Sequence, residues 1–254
     1  MQRSFITIPA LIALALFAAP AAAEPPAQPP RPYRAVTITL PPASVDPALQ
    51  AFRQALAAVA KDRVYADLER LVEPLGFFWE RDFGHVFDAR RPAVDNLAVA
   101  IGLEHADGSG WQALAAFAAE PSIEPLVSRP GIACAPAPPG YDGIAFARML
   151  DEAHGAGLDW TYPRADRTPV HAAPRSGAAA VDTLGLHFVR RLGFDGRDGA
   201  AAAARDLWER IVTPAGRLGF VAPGTLMSLA SDRLCYGKDV AGRWRISGFI
   251  AGAN

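Results

Sequence analysis

The chain has 254 residues, 51% of them hydrophobic and 20% charged, with a formal net charge of −1 and two cysteines. Such apolar content excludes a disordered tail, the balanced charge excludes the basic surface of a nucleic-acid binder, and two cysteines are too few for a disulfide-framework miniprotein. What remains is a globular protein of one or two domains, at ~100–200 residues per domain. The 23 arginines against 2 lysines, and the 52 alanines, follow a GC-rich codon bias. The arginines are interleaved with 26 carboxylates and do not form a phosphate-binding run.

Residues 1–23 carry the three parts of a secretory signal: Arg3, the apolar stretch Ile6 to Phe17, and Ala21-Ala22-Ala23 ahead of Glu24. The apolar stretch is short for a bilayer span, which needs ~20 residues, so cleavage before Glu24 is expected, leaving no transmembrane segment. Glu24 stands where a lipoprotein would have cysteine. The expected location is therefore periplasmic or extracellular, without a lipid anchor. Residues 24–45 read as a proline-rich linker, stiff and extended through Pro25, Pro26, Pro29, Pro30 and Pro32. The short β-rich run Ala35 to Leu40 follows.

From residue 46 the periodicity is helical. Asp46-Pro47 opens a helix as N-cap and first residue, and Leu49, Phe52, Leu56 and Val59 form its apolar stripe. Asp62 is expected to cap a second helix through Leu68 and Leu71, Pro92 a third through Leu97 and Ile101, Ser109 a fourth through Trp111, Leu114 and Phe117, and Asp142 a fifth through Ile144 and Met149. Phe77 to Trp79 and Asp159 to Tyr162 read as short strands or turns. The crowded stretch Trp79 to Asp88 holds His85 between Asp82 and Asp88, a base and its orienting carboxylate in a functional reading. No nucleophile or second ligand stands at motif spacing, so a loop of paired charges and packed aromatics is the preferred reading.

From Pro169 short strands and turns replace helices: Val170 to Ala173, Val181 to Gly185, His187 to Arg190, and a hairpin of Trp208 to Val212 with Arg217 to Val221 across Pro214 and Gly216. Pro169 to Pro174, Thr183 to Gly185, Trp208 with Ile211, and Gly216 with Gly219-Phe220-Val221 together resemble the bacterial SH3-like (SH3b) domain. The resemblance covers Thr168 to about Leu229 and departs at Gly193 to Asp206, a Gly- and Ala-rich insertion. It implies a small β-barrel that binds peptidoglycan peptides or partner proteins against an aromatic-lined groove, often beside cell-wall hydrolases. Trp208, Phe220 and Tyr236 are the candidate binding residues; the alternative for such large aromatics is a place in the core.

Asp232 to Lys238 and Arg243 to Ile250 flank Asp239-Val240-Ala241-Gly242 and read as a C-terminal hairpin. An isolated ribbon is marginal in water, so it either extends the barrel or folds back onto the first region. Its Gly-x-Trp-x-Ile strand is loosely similar to nuclear-transport-factor-2-like folds. Cys134 and Cys235 either form a bridge, as an even count in an exported chain invites, or stay as buried thiols.

The expected fold is thus α+β: a mainly helical domain (46–165), a small SH3-like β-barrel (168–231) and a C-terminal β-hairpin (232–254). The expected function is a non-catalytic envelope protein that binds peptidoglycan or another envelope protein, with no metal or other cofactor. The alternative is a cell-wall hydrolase (amidase, peptidase or glycosidase) targeted by the SH3-like domain. Cys134 precedes Ala-Pro-Ala-Pro-Pro, a poor helix start for an amidase nucleophile. His154 and Asp159 are spaced too closely for the metallopeptidase pattern they suggest, while His105, His171 and His187 stand alone. A glycosidase carboxylate pair needs no motif, so the composition leaves it open.

Overall fold

The computed structural model describes residues 31–80, 87–153, 157–192 and 208–252. Fourteen strands in three sheets and five short helices make up these residues, so the expected mainly helical first domain is corrected to a largely β architecture. Four of the five helices begin close to where the sequence places them. Helix α1 (Pro47–Asp62) starts at Asp46, whose Oδ1 accepts from the N–H groups of Ala48 and Leu49 at 2.8 and 3.2 Å. It stops at Arg63, which turns left-handed at φ 57°. Asp62 is therefore the last residue of α1 rather than a cap, and Val64 is the N-cap of α2 (Tyr65–Glu69). Helix α3 (Ala93–Ile101) follows Pro92, and α4 (Ser109–Ala119) has Gly108 as its N-cap, so Ser109 is the first helical residue. Helix α5 (Gly143–Ala153) is capped by Asp142, which accepts from Ile144 and Ala145.

The correction arises because the first four helices do not bury their stripes only against one another. Leu49, Phe52, Leu56, Leu97, Leu114 and Phe117 share one core with Ala135, Leu234, Tyr236, Ile246 and Phe249 of a sheet. That sheet contains β2 (Phe78–Glu80), β3 (Glu124–Pro125), β4 (Ala133–Ala135), β13 (Arg233–Lys238) and β14 (Trp244–Ile250), in the order β2-β14-β13-β4-β3. The C-terminal hairpin β13–β14 thus folds back to the centre of the first region, with β2 parallel to β14 and β4 antiparallel to β13. Strand alternation puts Leu234 and Tyr236 toward the helices and Cys235 toward the other face, despite a bulge between Cys235 and Tyr236.

On that second face Cys235 lies opposite Cys134 and is bonded to it, S–S 2.02 Å. Phe78 packs beside the bridge, and Arg129 lies over its ring at 4.0 Å. Gly248 is the floor under the same ring: a Cβ there would fall 2.3 Å from a ring carbon.

The remaining strands replace the expected barrel. β6 (Trp160–Pro163), β7 (Thr168–His171), β8 (Ala180–Leu184), β9 (Val189–Arg191), β10 (Glu209–Val212), β11 (Leu218–Val221) and β12 (Leu226–Ser228) form one sheet in the order β12-β6-β9-β10-β11-β7-β8. It curls enough for Leu226 of β12 to share a core with Val170 of β7 and Leu184 of β8. Among the described residues no pairing joins β12 to β8, so the sheet remains open. Its strand β6 precedes the boundary at 168, since the β-rich run Trp160-Thr161-Tyr162-Pro163 is fully buried and pairs with both β9 and β12. A two-stranded pair, β1 (Ile38–Thr39) with β5 (Gly140–Tyr141), completes the set.

The segment 33–44 straps the two larger sheets together. The Tyr33 hydroxyl donates to Val212 O at 3.0 Å and the ring meets Trp160 edge-on at 4.9 Å. Val36 and Ile38 are buried with Met149 of α5, Trp160 and Phe188. The strap then reaches the end of α4, where Ser44 N donates to Pro121 O at 2.9 Å.

Candidate functional site

Two of the sequence-predicted binding residues meet on the seven-stranded sheet. Phe220 of β11 lies opposite Arg210 of β10 on one side and His171 of β7 on the other. Directly opposed residues of a ladder project to the same face, so these three form a row across the sheet. Trp208 precedes Arg210 by two residues, and its ring meets that of His171 edge-on at 5.4 Å. All four side chains are half-buried, while Ile211, Val221 and Val170, on the opposite face of the same strands, are fully buried. His171 Nδ1 lies 2.9 Å from Ala178 O. A carbonyl only accepts, so Nδ1 is the donor in this contact. The row therefore offers two aromatic side chains, a guanidinium and an imidazole.

Tyr236 is placed elsewhere. It is wholly buried in the helix-facing core, edge-on to Phe52 at 5.9 Å and with the Arg53 guanidinium 5.9 Å from its ring centre. Burial pushes its hydroxyl far above the ordinary tyrosine range. The strand alternation that turns Cys235 toward its bridge turns Tyr236 inward. Its sequence setting, an aromatic in a predicted hairpin, did not reveal the helices over that face.

His85, its neighbour Asp82, and His154 lie outside the described residues. Asp88 closes a local turn, accepting from Arg90 N at 2.9 Å and pairing with Arg91 at 3.5 Å. Asp159 belongs to a single 3₁₀ turn, Gly157–Asp159. His105 is exposed and 3.3 Å from Ser109 Oγ. Burial lowers the pKa of His187, against the opposing charge of Asp182. Burial likewise raises that of Glu209, with Arg191 opposing from 3.9 Å. Among the described residues no three His, Cys, Asp or Glu side chains gather closely enough to hold a metal ion. No helix among them is long and apolar enough to cross a membrane.

A second site, which the sequence did not reveal, lies in the seam between the two larger sheets. Glu120 ends α4 and is 7% exposed. Its Oε1 accepts from Ser122 N at 3.1 Å and from Ser122 Oγ at 2.6 Å, and its Oε2 accepts from Arg164 Nη1 at 2.9 Å. Ser122 Oγ in turn accepts from Ala137 N at 3.0 Å. From beneath, buried Arg53 donates to Pro121 O and Ser122 O, both at 3.1 Å. Above this network opens a cleft of about 260 Å³, lined chiefly by Leu40, Pro41, Ala137, Tyr162, Met227 and the Glu120–Arg164 pair. The Tyr162 hydroxyl donates to Met227 Sδ at 2.9 Å, and burial pushes its pKa up to about 12. Glu120 and Arg164 are 44 residues apart, and no spacing rule links them.

Comparison of the chain with protein-family models, with curated proteins and with solved structures found no match.

Proposed function

We propose that this protein is exported to the cell envelope and acts as a non-catalytic binding module, presenting the Trp208–His171–Phe220 row to a peptidoglycan peptide or a partner protein. The carrying observation is that row: large aromatics held half-exposed on a sheet face are the kind of anchor that dominates recognition surfaces. Two further features support the reading. Residues 1–23 have the composition of an export signal, and a bonded cysteine pair suits an oxidising compartment. The sequence resemblance over Thr168 to Leu229 contributes only the type of module, since the sheet that carries the row is open.

The test is retention of the full mature chain on purified peptidoglycan sacculi. Trp208→Ala and Phe220→Ala are each expected to lower the binding constant by about tenfold or more, the usual effect of losing a central aromatic anchor. Retention that neither substitution alters would remove the row from the reading. Absence of retention by the parent chain would turn it toward a protein partner. Release of soluble muropeptides, abolished by substitution of His85 or His154, would overturn the non-catalytic assignment in favour of a hydrolase.

A further inference from the structure

We infer that the cleft at the seam of the two larger sheets is a second binding site, for a small ligand that carries a carboxylate next to a short apolar group, with Arg164 as its anion receptor. The inference does not rest on the aromatic row. The cleft belongs to the β12–β6 flank of the seven-stranded sheet, and strand β9 separates it from the strands that hold Trp208 and Phe220.

The first argument is charge. The network around Glu120 contains two guanidinium groups, Arg53 and Arg164, and one carboxylate, giving +2 − 1 = +1. A further anion would balance it. The second argument is donor supply. Glu120 is committed within the protein, with three hydrogen bonds on its two oxygens, and has little left to offer a ligand. Arg164 is different. Its side chain is 45% exposed and its guanidinium makes one hydrogen bond among the described residues, through Nη1. The Nε–Nη2 edge of the fork remains, and that edge matches the two oxygens of a carboxylate.

The third argument is position. Glu120 and the backbone bond from Arg164 N to Thr225 O, 2.9 Å, hold the arginine at the mouth of the cleft. The walls beside it, Leu40, Pro41, Ala137 and Met227, are apolar. At about 260 Å³ the space falls just below the ~300–1,000 Å³ typical of sites for drug-sized molecules, which suits one or two small residues rather than a long chain. Two sources provide this chemistry: the C-terminus of a short peptide ending in a small residue, and a free short-chain carboxylic acid.

Isothermal titration calorimetry of the full mature chain, disulfide intact, tests the inference with three probes: N-acetyl-alanyl-alanine, its C-terminal amide, and butyrate. The dipeptide acid is expected to bind and the amide to bind at least about tenfold more weakly, the cost of losing a charge-assisted pair. Butyrate binding as tightly as the dipeptide identifies a free acid as the source; butyrate binding much more weakly identifies a peptide terminus. Arg164→Lys, which keeps the charge and loses the fork, is expected to weaken binding about tenfold. Because changes at Arg164 also disturb buried Glu120, Leu40→Trp is the second variant: it fills the cleft from the strap without touching the ion pair and is expected to abolish binding at an unchanged unfolding midpoint. Trp208→Ala should leave acid binding intact, which separates this site from the wall-binding reading. Absence of heat from both acids, equal affinity for acid and amide, or affinity indifferent to both cleft variants would overturn the inference.

Discussion

The two larger sheets bury their surfaces by different means. The five-stranded sheet has helices α1, α3 and α4 over one face, feeding a single core of twenty buried residues, and a disulfide on the other. The seven-stranded sheet is made of strands of three to five residues and divides its burial between two smaller clusters, one inside its curl and one under the strap and α5. The first arrangement buries Leu49, Leu56, Leu97, Leu114, Tyr236 and Phe249 completely, with Trp79, Trp111 and Trp244 half-buried at its margins. The second leaves the row of Trp208, Phe220 and His171 half-exposed. Burial is concentrated in one cluster in the first unit and divided in the second, and the proposed binding row stands on the second.

This contrast is open to direct attack. The largest effect is expected from Cys134→Ser with Cys235→Ser. The bridge spans 101 residues, and in the chain-entropy model closing such a loop is worth about 4–5 kcal/mol. Urea unfolding under oxidising and reducing conditions measures it, and a loss under about 1 kcal/mol would show that the helical core suffices without the bridge.

Phe188→Ala probes the other unit. Phe188 is fully buried among Tyr141, Phe146 and Tyr162, so its truncation should cost about 3–5 kcal/mol. If the units unfold separately, tryptophan fluorescence and far-UV circular dichroism will give non-coincident transitions in this variant; coincident ones would mean that the strap couples the two sheets into one cooperative body. Gly248→Ala should cost about 1–3 kcal/mol, because the added methyl meets the buried Phe78 ring at 2.3 Å and the ring must shift to admit it.

A smaller, pH-dependent effect is expected at the tip of the β13–β14 hairpin. There the Asp239 carboxylate accepts from the backbone N–H of Arg243 and of Ala241 and pairs with the Arg243 and Arg245 side chains, which holds its pKa at about 2 against an ordinary 3.8. A folded pKa below the unfolded one means stabilisation fully present above pH 3.8 and lost as pH falls toward about 2. Asp239→Asn should flatten that part of the acid-unfolding curve. An unchanged slope would assign acid sensitivity to other carboxylates, such as Asp46, whose pKa is also lowered, chiefly by the Leu49 N–H.

Local structure was more legible in the sequence than its assembly. Asp46-Pro47, Pro92 and Asp142 mark helix starts to within a residue because capping and proline geometry are local. The runs Val181 to Gly185 and Arg217 to Val221 likewise fall on β8 and β11. Sheet membership was not legible. Phe78 to Glu80 lies beside Gly248 to Ile250 in a parallel pair, a contact between residues about 170 apart that no hydrophobic period encodes. Tyr236 was misplaced for the same reason. Its burial depends on α1, whose apolar stripe does not announce which strand it covers. The seam was hidden because its chemistry comes from a helix end, a turn and the exit of β6.

The bond between Cys134 and Cys235 also makes the whole seven-stranded sheet, together with α5, a covalently closed lasso on the five-stranded sheet. A protease that cuts once inside that ring, at any exposed turn from residue 136 to residue 234, produces no free fragment: the two pieces migrate as one molecule until a reductant is added. After a single nick both parts of the seven-stranded sheet thus stay covalently joined to the five-stranded one.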